Sequence, residues 1–364
     1  MKKLLLLLLT ALTLQACNNN YQQIAIRKKP KNVILLIGDG MGLTQASTAF
    51  YYQDKTPSFT RFLHMGLHQN EPTDAKITDS AAGATAFSTG YKSYNSAIGV
   101  DADTVARTTI LEMAAQRGQA TGVIATSSIT HATPASFYAH VASRNLEDEI
   151  AAQLVLSPVD FFAGGGIEFF ARRADGKNYL DSLEATGFQV DTMALKAPAN
   201  WNPNQKYGYL LASEGMPKMS EGRGDFLPNA TQMALEHLSQ DKDGFFLMVE
   251  GSQIDWGGHA NDADWIIDEV KDFDKAINVA LDFAVEDGNT LVIVTADHET
   301  GGMSLSAAEV RRQRTYEHIN PTFSTGGHSA TLIPVYAYGP GAAKFMGIYQ
   351  NNHIFDRMLE ALRW

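Results

Sequence analysis

A serine begins a predicted helix of small residues in segment 78–86, whose sequence is TDSAAGATA. Amides in the first turn of a helix lack intrahelical acceptors, and the helix dipole favours negative charge there, so Ser80 would lie where phosphate binds well. A serine hydroxyl in such a place becomes an alkoxide nucleophile when a cation lies beside it. Serine and Asp79 are also common helix caps, so this motif alone leaves a structural role open.

Carboxylates and histidines recur at spacings that suit metal ions. Asp255 and His259 stand four residues apart and would share one helical face, which makes them a chelating pair. Asp297 and His298 are adjacent, and His328 follows two glycines. Imidazole and carboxylate ligands without thiolates suit catalytic zinc, whereas oxygen-only sets suit magnesium. Isolated histidines are common in cores and on surfaces, so the metal interpretation depends on where the fold places these motifs.

The elements that must position these residues are buried strands separated by helices. An apolar stripe with helical period, carried by Ile266, Val270 and Phe273, predicts a helix over residues 264–284. Apolar strands between helices predict an α/β fold with a mainly parallel central sheet and helices on both faces, formed as one domain. The predicted strands cover residues 32–37, 121–125, 159–163, 245–249, 290–295 and 332–338.

Polar residues follow the ends of these strands. Asp39 follows the first predicted strand, Glu250 the fourth, and Asp297 with His298 the fifth, while Thr133 comes shortly after the second. In open α/β sheets, ligands bind beyond the carboxyl ends of the strands. We therefore expect these groups to converge at one edge of the sheet.

Two regions break the alternation of strands and helices. Residues 167–222 and 304–325 are predicted to be insertions or surface hairpins. Within the first region, the aromatic-rich segment 207–209 is predicted to be a strand rather than a stacking platform.

Composition limits the class of partner. The chain has 364 residues, of which 45% are hydrophobic, and a formal net charge of -11 with a pI near 5.4. This acidity argues against nucleic acid as a partner and leaves small solutes open. An anionic substrate is not excluded, because bound metal ions would dominate the local field.

The N-terminus has the pattern of a targeting segment. Lys2 and Lys3 precede the apolar run 4–14, and the residues before Cys17 resemble the lipobox of bacterial lipoproteins. Cys17 is the only cysteine in the chain, so no intrachain disulfide can form. We predict a lipoprotein signal peptide over 1–17, a flexible tether over 18–30 and a catalytic domain over 31–364. The alternative is an ordinary secretory peptide with an incidental cysteine. The lipoprotein interpretation predicts export and a periplasmic location, anchored to a membrane, most simply the outer membrane.

Together, the motifs resemble those of the alkaline phosphatase family. The resemblance implies that family's α/β sandwich, phosphate monoesters as substrates and a homodimer. The motifs run in family order from about residue 32 to the C-terminus: Asp39 in IGDGMG, Asp79-Ser80-Ala81, Thr133, Arg144 and the three histidine motifs.

By this resemblance the chain would hold two zinc ions and one magnesium ion. One zinc would be bound by Asp255, His259 and His328. The second would be bound by Asp39, Asp297 and His298, with Ser80 as its remaining ligand during turnover. The third site, usually magnesium, would use Asp39, Thr133 and Glu250.

The implied reaction is an in-line displacement at phosphorus. Zinc beside Ser80 would stabilise the attacking alkoxide, and the other zinc would stabilise the leaving alkoxide and then activate water that hydrolyses phosphoserine. Arg144 would bind two non-bridging phosphate oxygens through its planar fork, and Asp79 would help to orient it.

His131 and Trp256 depart from the best-known bacterial pattern, in which many relatives carry aspartate and lysine. In those relatives the pair contacts the waters of magnesium and the phosphate, so both residues are candidates for the catalytic site. His131 is also a candidate direct ligand of the third metal, which would favour zinc there.

Other functions stay open on sequence grounds. A phosphodiesterase or a sulfatase of the same superfamily is one alternative, although the sequence context in which sulfatases form formylglycine is absent and diesterases generally lack the set of Arg144 and a third metal. Another is a lipoprotein that binds zinc or phosphate without turnover.

Overall fold

The computed structural model describes residues 28–173, 175–310 and 313–364. The predicted signal peptide 1–17, with Cys17, and residues 18–27 of the predicted tether lie outside this range. Within the described residues, no helix is both long enough and apolar enough to cross a bilayer.

Ten strands of the described residues form one central sheet. They are β1 (Asn32–Gly38), β2 (His64–Gln69), β3 (Ala120–Ser128), β4 (Phe161–Gly165), β5 (Phe188–Asp191), β6 (Lys206–Leu210), β7 (Phe245–Gly251), β8 (Thr290–Thr295), β13 (Ile333–Tyr338) and β14 (Gly347–Gln350). Their order in the sheet is β14-β2-β13-β8-β1-β7-β3-β4-β6-β5. Every pairing in it is parallel except those of β13, which runs antiparallel to both β2 and β8. The predicted mainly parallel sheet is therefore confirmed.

Helices cover both faces of this sheet, as predicted. Alternate residues of β1 point to opposite sides, so that Leu35 packs into one core cluster and Leu36 into the other. The helices are α1 (Leu43–Tyr51), α2 (Ser80–Thr89), α3 (Ile110–Ala115), α4 (Ala132–Ala135), α5 (Glu147–Leu156), α6 (Ile167–Ala171), α7 (Tyr179–Ala185), α8 (Phe226–Leu238), α9 (Gln253–His259), α10 (Ala263–Asp287) and α11 (His353–Leu362).

Helix α10 shows why the local sequence specifies its element. The side chain of Asp262 caps the first turn by accepting from the amide of Trp265, and Gly288 ends the helix in the left-handed conformation at φ 65°. Its apolar stripe, including Val270 and Phe273, is fully buried against the sheet. Truncating Phe273 to alanine would cost about 3–5 kcal/mol of stability, because a cavity would remain.

One of the two predicted insertions is part of the sheet. Region 167–222 contributes β5 and β6 to the main sheet, so its description as an insertion was wrong. The segment Lys206–Leu210 is a strand, as predicted for 207–209. It escapes a search for continuous apolar runs because Gly208 interrupts it, and a Cβ there would lie 2.3 Å from Phe162 Cζ.

Region 304–325 contains the predicted hairpin. Strand β10 (Ser304–Val310) pairs antiparallel with β11 (Gln313–Thr322) in a sheet of two strands. At its base, β9 (Glu299–Thr300) pairs antiparallel with β12 (His328–Ser329). The hairpin therefore emerges between β9, which directly follows the predicted ligands Asp297 and His298, and β12, which contains His328.

Candidate metal centre and nucleophile

Helix α2 begins at Ser80, with Asp79 as its N-cap. The Asp79 carboxylate accepts from the amide of Ala82 at 3.0 Å, which satisfies one donor of the first turn. Ser80 is 2% exposed, and its Oγ lies 3.3 Å from Nε2 of His298. The absence of a side chain at Gly83 lets the helix approach this site, since a Cβ there would lie 3.0 Å from Cβ of Asp297.

One group of predicted ligands consists of Asp255, His259 and His328. Helix α9 places Asp255 and His259 on one face, with His259 Nε2 3.4 Å from Asp255 Oδ2. His328 Nε2 lies 3.6 Å from Asp255 Oδ1 and 3.2 Å from His259 Nε2. Three potential ligand atoms thus meet within the span of one cation.

A second group surrounds Nε2 of His298, a fully buried residue just beyond β8. Asp297 Oδ2 lies 3.2 Å from this nitrogen and Asp39 Oδ1 lies 3.5 Å from it. With Ser80, the four predicted members of this site converge. Asp39 reaches the site because Gly40 adopts φ +72° and passes so close to Asp255 that a Cβ would lie 2.7 Å from its Cα.

Hydrogen bonds orient the rings of His259 and His328. The Nδ1 atoms of these rings lie 2.8 Å from the carbonyl oxygens of Gly326 and Thr78, respectively. A carbonyl oxygen only accepts, so each Nδ1 carries the hydrogen, and Nε2 of the neutral ring keeps its lone pair on the side of Asp255. This is the tautomer that a metal ligand requires.

Thr300 is a residue that the sequence analysis missed. Its hydroxyl donates to Oδ1 of Asp255 and lies 3.2 Å from Nδ1 of His298. With its own hydrogen given to Asp255, the hydroxyl accepts from Nδ1–H of His298 and leaves the Nε2 lone pair free. One side chain therefore supports a member of each ligand group, and only its place beside Asp297-His298 in the sequence hinted at such a role.

Glu299, the residue after His298, was also missed. This buried carboxylate accepts from Nε2 of Gln45 at 2.6 Å, from the amide of Met303 at 3.0 Å and from the hydroxyl of Ser329. It thereby ties α1 to the β9–β12 pair, which carries His328. A glutamate beside a predicted ligand gave no signal that separated it from a surface charge.

A third group brings Asp39 and Glu250 together with His131. The hydroxyl of Thr133, at the second position of α4, is also buried. Among the described residues, several buried oxygens of these groups have no hydrogen-bond partner: both carboxylate oxygens of Asp39, Oε1 of Glu250, Oδ2 of Asp297 and Oγ1 of Thr133.

The buried carboxylates at this edge of the sheet favour the binding of cations. Burial raises the pKa of Glu250 to about 7. Burial, reinforced by the charge of Asp297, raises the pKa of Asp39 well above its usual value. Buried carboxylates without partners are costly, and bound cations would satisfy their oxygens and remove the repulsion. The residues present therefore fit metal ions at all three predicted positions.

Arg144 contacts Asp79, the residue before Ser80, and His131. Its Nη1 donates to Asp79 Oδ2 at 3.2 Å, and its Nη2 donates to His131 Nε2 at 2.9 Å. Burial, with a contribution from the charge of Arg144, lowers the pKa of His131 to about 3. Trp256 packs edge-on against the His131 ring, with centroids 6.1 Å apart. All the predicted site residues thus lie at one edge of the sheet.

Comparisons with known proteins agree on the family. A family model described as alkaline phosphatase matches residues 30–318. Alkaline phosphatase 3 of Bacillus subtilis (strain 168) is 36% identical to the chain, over 92% of this chain and 89% of that protein. The alkaline phosphatase of Escherichia coli (strain K12) is 33% identical, over 92% of this chain and 86% of that protein.

The fold comparison agrees as well. The solved structure of the alkaline phosphatase from the Antarctic bacterium TAB5 matches with a TM-score of 0.91 and 55% identity, covering 93% of this chain and 99% of that chain. The chain therefore belongs to the alkaline phosphatase family and is a metal-dependent phosphomonoesterase.

Proposed function

We propose that the protein hydrolyses phosphate monoesters to alcohol and inorganic phosphate through a phosphoserine at Ser80. The observation that carries this proposal is the position of Ser80 Oγ at the start of α2, 3.3 Å from Nε2 of His298. This contact is to a member of the second ligand group, and Asp79, the residue before Ser80, accepts from the guanidinium of Arg144 at 3.2 Å. The motifs recognise a phosphoryl group, so we propose small phosphate monoesters as the substrate class.

We further propose two zinc ions and one magnesium ion per chain. Asp255, His259 and His328 would hold the first zinc. Asp39, Asp297 and His298 would hold the second, with Ser80 completing the site. Asp39, Thr133 and Glu250 would hold magnesium. When bound, the paired zinc ions supply the charge that favours the serine alkoxide and the leaving alkoxide.

Residues of the chain supply the nucleophile and bind the phosphoryl group. Ser80 Oγ bonds to phosphorus as the ester P–O bond breaks, the hydroxyl proton passes to solvent, and the leaving alkoxide is protonated by water. Water then attacks the phosphoserine and releases inorganic phosphate, which restores the hydroxyl of Ser80. Arg144 binds two non-bridging oxygens through its fork, and Asp79 holds the guanidinium in place at 3.2 Å.

Magnesium in the third site is supported by its donor chemistry. Carboxylate and hydroxyl oxygens from Asp39, Glu250 and Thr133 are ligands that magnesium prefers. A solved variant of the TAB5 alkaline phosphatase, in which a histidine is changed to aspartate, has magnesium bound in the site called M3. Direct ligation by His131 is the alternative, and it would favour zinc in this position.

We also propose that the enzyme is exported and lipid-anchored at Cys17, with the catalytic domain in the periplasm, most simply at the outer membrane. The support is the sequence before Cys17, since this segment lies outside the described residues. Family membership is the ground for proposing a homodimer.

Metal analysis combined with a substrate panel tests the proposed function. We expect about two zinc and one magnesium per chain, loss of activity on chelation, and recovery only when both metals are returned. Phosphate monoesters should be hydrolysed far faster than diesters or sulfate esters. Faster diester hydrolysis would favour a phosphodiesterase, and tight phosphate binding without turnover would favour a scavenging lipoprotein.

A further inference from the structure

The hydrogen bond between Arg144 and His131 requires one ring nitrogen of the imidazole to act as the acceptor. Arg144 Nη2 lies 2.9 Å from His131 Nε2. A guanidinium has five donors and no acceptor, so Nε2 must offer its lone pair to this bond. The only lone pair of the neutral ring is therefore directed at Arg144.

The same ring also belongs to the third ligand group. A ring nitrogen of His131 and carboxylate oxygens of Asp39 and Glu250 lie within 4.8 Å of one another. Nδ1 of His131 is buried and has no hydrogen-bond partner among the described residues. The ring packs edge-on against Trp256, which restricts its reorientation. A cation between these carboxylates would therefore meet an imidazole that already has a partner.

The His131 ring cannot accept a hydrogen bond from Arg144 and bind a cation at the same time. A neutral imidazole has one protonated nitrogen and one lone pair. A cation that takes the Nε2 lone pair removes the acceptor of Arg144. A cation that takes the lone pair at Nδ1 moves the hydrogen to Nε2, where it faces the N–H of Arg144. The conclusion is the same whether the cation acts directly or through one of its hydration waters.

We propose that His131 couples two events: the binding of a cation by the third ligand group and the binding of phosphate by Arg144. While Nε2 of His131 accepts from Arg144, one N–H of Nη2 is in use, and the guanidinium offers phosphate one donor fewer. When a cation takes the lone pair of His131, this bond is lost while the bond to Asp79 remains, so Arg144 stays oriented and offers that N–H to phosphate as well. This inference rests on the proposed function, since it assigns Arg144 to phosphate and a cation to the third group.

The coupling must act in both directions, because linkage between two binding sites is reciprocal. A cation in the third site tightens phosphate binding, and phosphate on Arg144 releases the lone pair of His131 and tightens the cation. A hydrogen bond from a charged donor is worth on the order of a tenfold change in affinity. The sign and size of the coupling can therefore be measured.

A cation also attracts phosphate by charge alone, so the test needs a control that keeps this attraction. His131→Gln is matched for that purpose, because its side chain is neutral and its amide oxygen has two lone pairs. Such an oxygen can accept from Arg144 and serve a cation at the same time. The variant keeps the electrostatic effect and removes the competition.

The experiment measures inorganic phosphate binding by titration calorimetry, with two zinc ions per chain verified and with magnesium either withheld or present in the third site. In the parent we expect magnesium to tighten phosphate binding by a factor on the order of ten larger than in His131→Gln. Equal factors in the two proteins, with phosphate still bound competitively with substrate, would overturn the coupling alone. Absence of competitive phosphate binding in both would contradict the proposed function itself.

A second readout needs no variant. In the parent with labelled histidine, the ring nitrogens of His131 should change their nitrogen-15 chemical shifts when the third site fills, because the lone pair changes partner. Unchanged shifts at both ring nitrogens on filling would overturn the proposal.

Discussion

The imidazole rings of His298 and His328 stack on each other, with centroids 3.6 Å apart and 18° between their planes. His298 belongs to the group around Ser80, and His328 belongs to the group around Asp255. The two ligand groups are therefore in direct contact through these stacked rings. A displacement of one ring would also displace its neighbour in the other group.

His328→Ala should lower the zinc content from about two ions per chain towards one, because the first group loses one of three protein ligands. Activity should fall with it, since the leaving-group side of the site is emptied. Metal analysis after dialysis against a weak chelator measures the effect. His353→Ala, an exposed histidine at the start of α11, is the control and should keep full metal. Full metal and full rate in His328→Ala would show that this histidine is not a ligand.

Ser80→Ala should lower turnover by several orders of magnitude and leave the fold intact, with some residual rate from direct attack by water. Ser88→Ala is the matched control on α2, because its hydroxyl only donates back to the carbonyl of Thr85 at 3.2 Å. Acid quenching during turnover should trap a phosphopeptide that contains Ser80. A label on any other residue would refute the assignment of the nucleophile.

Cys17→Ser should block acylation and release the protein from membranes while turnover stays at the parent level. The reason is that the predicted tether 18–30 separates the modified residue from the catalytic domain. Membrane partitioning and incorporation of a labelled fatty acid are the measurements. A variant that stays with the membrane fraction would contradict the lipobox interpretation.

His140 predicts a pH-dependent contribution to stability. Burial lowers the pKa of this ring, but hydrogen bonds to Glu112 at 3.0 Å and to the carbonyl of Gly99 at 2.8 Å outweigh it, so the pKa is raised. A raised folded-state pKa gives stability that is complete below the unfolded value near 6.5 and is lost as pH rises through the folded value. His140→Gln should therefore lower the free energy of unfolding by about 0.5–1 kcal/mol near pH 6 and by less near pH 9.

Urea unfolding of the metal-loaded protein at the two pH values measures this difference. Glu112→Gln alone and combined with His140→Gln supply the other two corners of a double-mutant cycle. The pH-dependent part of the cost of His140→Gln should vanish in the Glu112→Gln background. An equal cost of His140→Gln at both pH values would mean that the ring is not charged in the folded protein.

Trp256→Lys combined with His131→Asp should strengthen inhibition by phosphate on the order of tenfold, because a charge and its partner replace an uncharged indole and imidazole. If release of phosphate limits turnover, the double variant should also be slower. The measurement is the inhibition constant for phosphate at fixed pH and saturating metals. Equal or weaker inhibition would show that these positions do not tune product affinity.

Elements with a strong local pattern were predictable from the sequence. The limits of β8 are those predicted, and α10 extends the predicted helix by only a few residues, because buried apolar periodicity and caps such as Asp262 act locally. Strands β2 and β14 were missed because both are short and partly exposed. The reversed direction of β13 was also out of reach, since strand direction depends on the connection and not on the strand's own residues.

The residues of the candidate site that come just after the end of a strand were predictable from the sequence. Asp39 and His298 needed only the rule that such groups meet at one edge of the sheet. Thr300 and Glu299 act through hydrogen bonds whose partners lie far away in the chain, so no spacing signalled them. The bond between His131 and Arg144 joins two loops whose relative placement only the folded chain determines.

The closed base of the β10–β11 hairpin has a consequence for how this enzyme can diverge. Glu299 accepts from the amides of Gly302 and Met303 and from Ser329, which seals the point where the hairpin leaves the body. We expect these hydrogen bonds to hold the base of the hairpin in place when its length or sequence changes, so that His298 and His328 keep their positions. The segment between these histidines is therefore a place where the chain can accept new sequence while the ligand groups on either side of it are preserved.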